Sequence, residues 1–105
     1  MHHQVIFGVK LTAAEVSALF PETEMCDLHY EDIGEYYVQE FDASNSTLEY
    51  FIIIDSYHGP KLYEGPKLFT PPSNADEARL LAFLDAKLGP SGNRKCGMYL
   101  AICDC

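Results

Sequence analysis

Positive charge is scarce in this chain: seven Lys and Arg stand against sixteen Asp and Glu in 105 residues, a formal net charge of −9. Binding to nucleic-acid backbones draws on Lys and Arg to displace condensed counterions, so this balance argues against nonspecific nucleic-acid partners. Long apolar runs are missing too. The longest, Tyr50 to Ile54, is strand-sized, whereas a membrane span needs about 20 residues. The N-terminus, Met1-His2-His3-Gln4-Val5, has neither the basic region nor the apolar stretch of a secretory signal, and an intracellular, cytoplasmic location is the expectation. In that compartment the four cysteines are expected to be reduced rather than paired in disulfides.

No motif for a reaction is present either. Cys26 with His29, or Cys103 with His58, has the residue types of a thiol nucleophile and its base. Nothing nearby in sequence supplies a lowered thiol pKa or an oxyanion hole. Gly97 after Asn93-Arg94-Lys95-Cys96 follows a helix and precedes a strand, the reverse of the order that aims amide groups at phosphate. The chain therefore reads as a non-enzyme.

What is present is a regular alternation of elements in a single domain over 1–105, since this length supports one hydrophobic core. Val5 to Val9 is a buried strand by its β-branched and aromatic content. Thr12-Ala13-Ala14-Glu15 is a capping box opening a helix with Val16, Leu19 and Phe20 on its apolar stripe, stopped by Pro21. Residues 21–34 read as acidic and irregular. Glu35 to Asp42 and Thr47 to Asp55 are strands joined by Ala43-Ser44-Asn45-Ser46. The second holds an unbroken apolar run, the mark of a central strand shielded on both faces, or on one face plus a partner. A long connection, Ser56 to Pro72, repeats Gly-Pro-Lys-Leu at 59–62 and 65–68 and is a candidate flap over the sheet. Ser73 or Asn74 caps a second helix with Ala78, Leu81, Leu84 and Leu88 at helical spacing, widened by Leu80 and Phe83 and ended by Gly89-Pro90. Gly97 to Cys103 is the last strand.

Strand, helix, strand, strand, helix, strand resembles the ferredoxin-like βαββαβ sandwich: α+β, with two helices on one face of a four-stranded antiparallel sheet. That arrangement puts the first and third strands at the centre and the last beside the first. Two spatial expectations follow. One end of the domain gathers His2, His3, Cys26, His29, His58, Cys103 and Cys105, imidazole and thiolate groups of the kind that hold zinc. Cys103 and Cys105 share a strand face, but no second closely spaced pair completes a zinc knuckle. The competing reading makes Cys26 and Cys103 small buried hydrophobes.

The second expectation is an uncovered sheet face. Met98, Leu100 and Ile102 are assigned to the helix side, which puts Tyr99 opposite, with Phe51, Ile53 and Tyr37 or Tyr36 beside it. RNA-recognition domains stack bases on such a face, but their motif of a basic residue followed by Gly-aromatic-Gly-aromatic is absent and the surround is acidic. Protein contact fits better. The expected function is that of a small acidic interaction module, of the inhibitor, immunity-type or assembly-subunit kind. It would bind a protein partner or a second copy through Tyr37, Phe51, Ile53 and Tyr99, with Glu31, Asp32 and Glu35 as an acidic rim and with no nucleic acid or membrane involved. The alternative is a zinc or other metal-binding domain using the Cys/His end. The competing reading is that the Ser56 to Pro72 connection folds over this face and hides it, because its Leu62, Tyr63, Leu68 and Phe69 need burial.

Overall fold

A computed structural model describes residues 2–42, 48–58 and 72–103. Strand β1 (His2–Leu11) leads into helix α1 (Ala13–Leu19) and a single 3-10 turn at Met25–Asp27. Strands β2 (Tyr30–Ile33), β3 (Tyr36–Asp42) and β4 (Leu48–His58) follow, then helix α2 (Asn74–Leu88) and strand β5 (Gly97–Cys103). The result is α+β, with one five-stranded sheet of order β2-β3-β4-β1-β5 in which every pair is antiparallel. The expectation of four strands is corrected. The segment 21–34, read as irregular, contains β2, so the element order is not βαββαβ.

Both helices begin as their sequences dictate. The Glu15 amide donates to Thr12 Oγ1 at 3.2 Å while the Thr12 amide donates to Glu15 Oε1 at 3.0 Å. Ser73 and Asp76 form the same reciprocal box at the start of α2. Gly89, at φ 91°, ends α2 in a conformation that β-carbon-bearing residues avoid. The buried stripe of α2 is centred on Leu80 and Leu84, both 0 % exposed, with Leu81, Phe83 and Leu88 at its margins; Ala78 faces solvent.

The helices lie over β4 on one face of the sheet. Their core joins Val9, Leu11, Val16, Phe20, Leu28, Val38, Tyr50, Ile52, Leu80 and Leu84. A second cluster, Ile6, Phe41, Phe51 and Ile53, lies on the opposite face with Tyr37 and Tyr99 packed against it. Strand β4 therefore buries Ile52 and Ile53, consecutive residues on opposite faces, both to 0 % exposure.

One irregularity sets the register. Phe7 pairs with Asp55 but Gly8 pairs with Ile53, leaving Ile54 as the extra residue of a bulge in β4. A β-carbon on Gly8 would collide with the Ile52 carbonyl oxygen, so this close backbone approach requires glycine.

Candidate functional site

The acidic rim expected from the sequence is built on β2, an edge strand of the sheet. Its hairpin to β3 turns through Gly34 and Glu35, with Gly34 at φ 60° in the first turn position, the left-handed conformation that tight two-residue hairpins require there. The Phe83 ring lies against Gly34: an added β-carbon would come within 3.2 Å of it. Glu31, Asp32 and Glu35 are all exposed. Glu35 approaches Arg79 at 3.7 Å, and Arg79 in turn pairs with Asp76 at 2.6 Å. Glu31 and Asp32 have no cation within ion-pair range among the described residues.

Aromatic groups border this acidic edge. Tyr30, 55 % exposed, stacks on Tyr37 with ring centroids 4.9 Å apart and planes 21° apart. Tyr37 is half-buried, and its hydroxyl donates to Ser56 Oγ at 3.1 Å. Burial, with smaller contributions from Tyr30 and Asp55, raises the Tyr37 phenol above its ordinary value against the opposing Ser56 hydrogen bond. The phenol thus stays neutral at physiological pH. Tyr30 lies within 21–34, a segment whose sequence has no apolar alternation to mark it as a strand.

The apolar anchors separate into two groups. Tyr37 and Tyr99 remain partly accessible. Phe51 and Ile53, expected as contact residues, are 4 % and 0 % exposed, and this is a correction. Phe51 packs edge-on to Phe41 at 5.7 Å and against Tyr99 at 4.7 Å. These rings form a second core, so a partner cannot reach Phe51 or Ile53. The connection expected to cover this face falls, at 59–71, outside the described residues, as do both Gly-Pro-Lys-Leu copies.

Strand β5, at the other edge, carries Met98 and Leu100 opposite Phe7 and Val5 of β1. Both alternate with Tyr99 and so fall on the helix side as expected, but they are 64 % and 71 % exposed because the helices lie over β4 instead.

The Cys/His end is only partly assembled. The β1–β5 register sets His2 opposite Cys103 and His3 opposite Ile102, and the β1–β4 register sets Gln4 opposite His58. His2, His3, His58 and Cys103 thus share one end of the sheet. Cys26 and His29 do not. His29 Nδ1 lies 3.1 Å from Glu40 Oε1, its carbonyl accepts from the Glu40 amide at 3.0 Å, and Glu40 is paired with Tyr50. Eight residues of extended β4 separate Tyr50 from His58, roughly 25 Å at the strand rise. Cys26 is exposed, with its thiol 3.7 Å from Glu24 Oε2, in a surface group with Glu24 and Asp27. The β2–β3 hairpin is the cause: it carries the 21–29 segment toward the far end of the sheet. Cys105 lies outside the described residues.

A cleft of about 530 Å³ was not foreseen. It is lined by Val9, Lys10, Thr12, Glu15, Arg94 and Tyr99, among others. Arg94, with a side chain 11 % exposed, donates to Glu15 Oε2 at 3.2 Å, Asp85 Oδ1 at 2.9 Å and the Gly89 carbonyl at 2.7 Å. It ties α1 to the end of α2. Burial opposes ionisation of Glu15, but hydrogen bonds from the Thr12 amide and Arg94 outweigh it and hold this carboxyl below its usual value.

No protein-family model, curated protein or solved structure matches this chain. Among the described residues, no helix is long and apolar enough to cross a membrane.

Proposed function

We propose that this chain is a non-enzymatic interaction module that holds a basic, extended segment of a partner protein along the β2 edge. The observation that carries this reading is the edge strand itself, with Glu31 and Asp32 unpaired among the described residues and Tyr30 stacked on Tyr37 beside them. An extended partner adds its backbone hydrogen bonds to the side of β2 that no strand pairs with among the described residues, and its Lys or Arg side chains meet the acidic rim. Tyr30 and Tyr37 supply rigid apolar area of the kind that enriches interface cores. A second copy is a poorer occupant of this edge, because each copy carries a net charge of −9. Within the sheet, the order β3-β4-β1-β5 with two helices supports a ferredoxin-like core to which β2 is added at the edge.

The test is a titration with a labelled peptide of alternating Lys or Arg and apolar residues, followed by fluorescence anisotropy. Binding is expected to weaken with rising salt and to be lost in the double variant Glu31→Lys, Asp32→Lys. Tyr30→Ala is expected to weaken it without loss of folding. Binding indifferent to the charge reversal would overturn the reading.

A further inference from the structure

We propose that the cleft between β1, the start of α1 and the 91–95 turn binds a small aromatic carboxylate. Its place follows from where the sheet ends. Strand β5 pairs with β1 only as far as Gly97 opposite Gly8, while β1 runs on to Leu11. Val9 and Lys10 therefore have no strand on that side among the described residues, and the 91–95 turn stands across the opening. The volume, about 530 Å³, lies in the range of small-molecule sites.

The chemistry left uncommitted in the lining is that of cationic donors. Lys10, Arg94 and Lys95 gather here in a chain with only seven Lys and Arg. The carboxylates beside them are engaged. Glu15 accepts from the Thr12 amide and from Arg94 Nε, Asp85 from Arg94 Nη1, and Glu49 from Lys10 Nζ. The contacts of Arg94 with Glu15, Asp85 and the Gly89 carbonyl use Nε and Nη1, which leaves Nη2 for a ligand. Lys95 is exposed and has no acidic partner in ion-pair range among the described residues. A ligand that brings acceptor oxygens and negative charge meets both donors, and hydrogen bonds between charged groups are the strong ones. Glu15, Glu49 and Asp85 already offset the three cations. A carboxylate with one negative charge therefore suits the cleft better than a phosphate near two.

Tyr99 supplies a flat wall. A β-carbon on Gly97 would lie 3.3 Å from Tyr99 Cε2 and 3.5 Å from its hydroxyl oxygen, so the ring leans back along β5 over Gly97, toward the cleft it lines. The ring packs on Phe51 at 4.7 Å between centroids, yet Tyr99 stays partly accessible. A flat apolar body stacks on such a ring while its carboxylate reaches Arg94 and Lys95.

The test titrates the isotope-labelled full chain with sodium benzoate, with benzamide as a neutral counterpart of the same shape, and with inorganic phosphate. Saturable benzoate binding is expected, with amide shifts confined to residues 9–15 and 91–99. Residues 30–37 should not move, which separates this site from the β2 edge. Benzamide and phosphate should each bind at least about tenfold more weakly than benzoate. Lys95→Glu should weaken benzoate about fivefold, and Tyr99→Leu about tenfold. Circular dichroism shows whether each variant folds; should Tyr99→Leu unfold, Lys95→Glu and the comparison of benzoate with benzamide decide. Benzoate that does not saturate, that binds no tighter than benzamide or phosphate, or that shifts amides elsewhere overturns the proposal. So does a folded Lys95→Glu variant that binds benzoate as the wild type does.

Discussion

Replacing Phe51 with Ala tests whether the sheet face away from the helices is a second core. Phe51 is 4 % exposed and contacts the Phe41 and Tyr99 rings at centroid distances of 5.7 and 4.7 Å. Truncating a buried phenylalanine costs about 3–5 kcal/mol, combining lost transfer free energy with the cavity left behind. Against a typical total of about 5–15 kcal/mol, that is a large share of the stability of a domain this size. At about 4–8 °C per kcal/mol for a domain near 100 residues, the melting temperature should fall by at least roughly 12 °C. Tyr30→Ala, on a side chain 55 % exposed, serves as the control. It should cost at most about 1 kcal/mol. In a double-mutant cycle, Phe51 and Tyr99 should show a coupling of about 0.5–1.5 kcal/mol from their ring contact. Urea denaturation followed by circular dichroism measures all of these. A Phe51→Ala loss below about 1 kcal/mol would mean the ring is not held in a core and that Phe51 belongs to an accessible surface.

Three further outcomes follow from the packing. Gly8→Ala forces a β-carbon into the Ile52 carbonyl at the β4 bulge, and should destabilise by about 1–3 kcal/mol or more in the same assay. Ser73→Ala removes the acceptor for the Asp76 amide at the start of α2 and should cost about 1 kcal/mol. Glu15 has a carboxyl pKa depressed on folding, so its contribution is present above the unfolded carboxylate value and is lost as pH falls through the lower folded one. Stability measured from pH 6 downward should therefore fall less steeply in Glu15→Gln than in the wild type; identical slopes would contradict the ion pair with Arg94.

The features most legible in the sequence were those set by local chemistry. Thr12 with Glu15 announced one helix start, and Ser73 with the acids after it announced the other, because capping depends on residues three apart. The run Tyr50 to Ile54 indicates a strand shielded on both faces, or on one face plus a partner, and Ile52 and Ile53 are both fully buried. The error came in assigning one of those faces to a partner. Strand β2 was hidden because Tyr30-Glu31-Asp32-Ile33 exposes its first three residues and has no apolar alternation to reveal it. Its turn signal, Gly34 between Ile33 and Tyr36, was present but had no recognised strand before it. Missing β2 also misplaced Cys26 and His29, since the position of a connection depends on the strand it feeds. Arg94 was read only as part of a turn, because its partners Glu15 and Asp85 lie 79 and 9 residues away in sequence.

The central claim, that a basic extended segment adds to the β2 edge, is tested most directly by amide chemical shifts of isotope-labelled protein titrated with the alternating basic peptide. Amides of residues 30–37 are expected to shift together and outward-facing amides of β2 to gain protection from hydrogen exchange, with β5 unaffected. Shifts centred on β5 or on the 91–95 turn, with β2 unchanged, would contradict it.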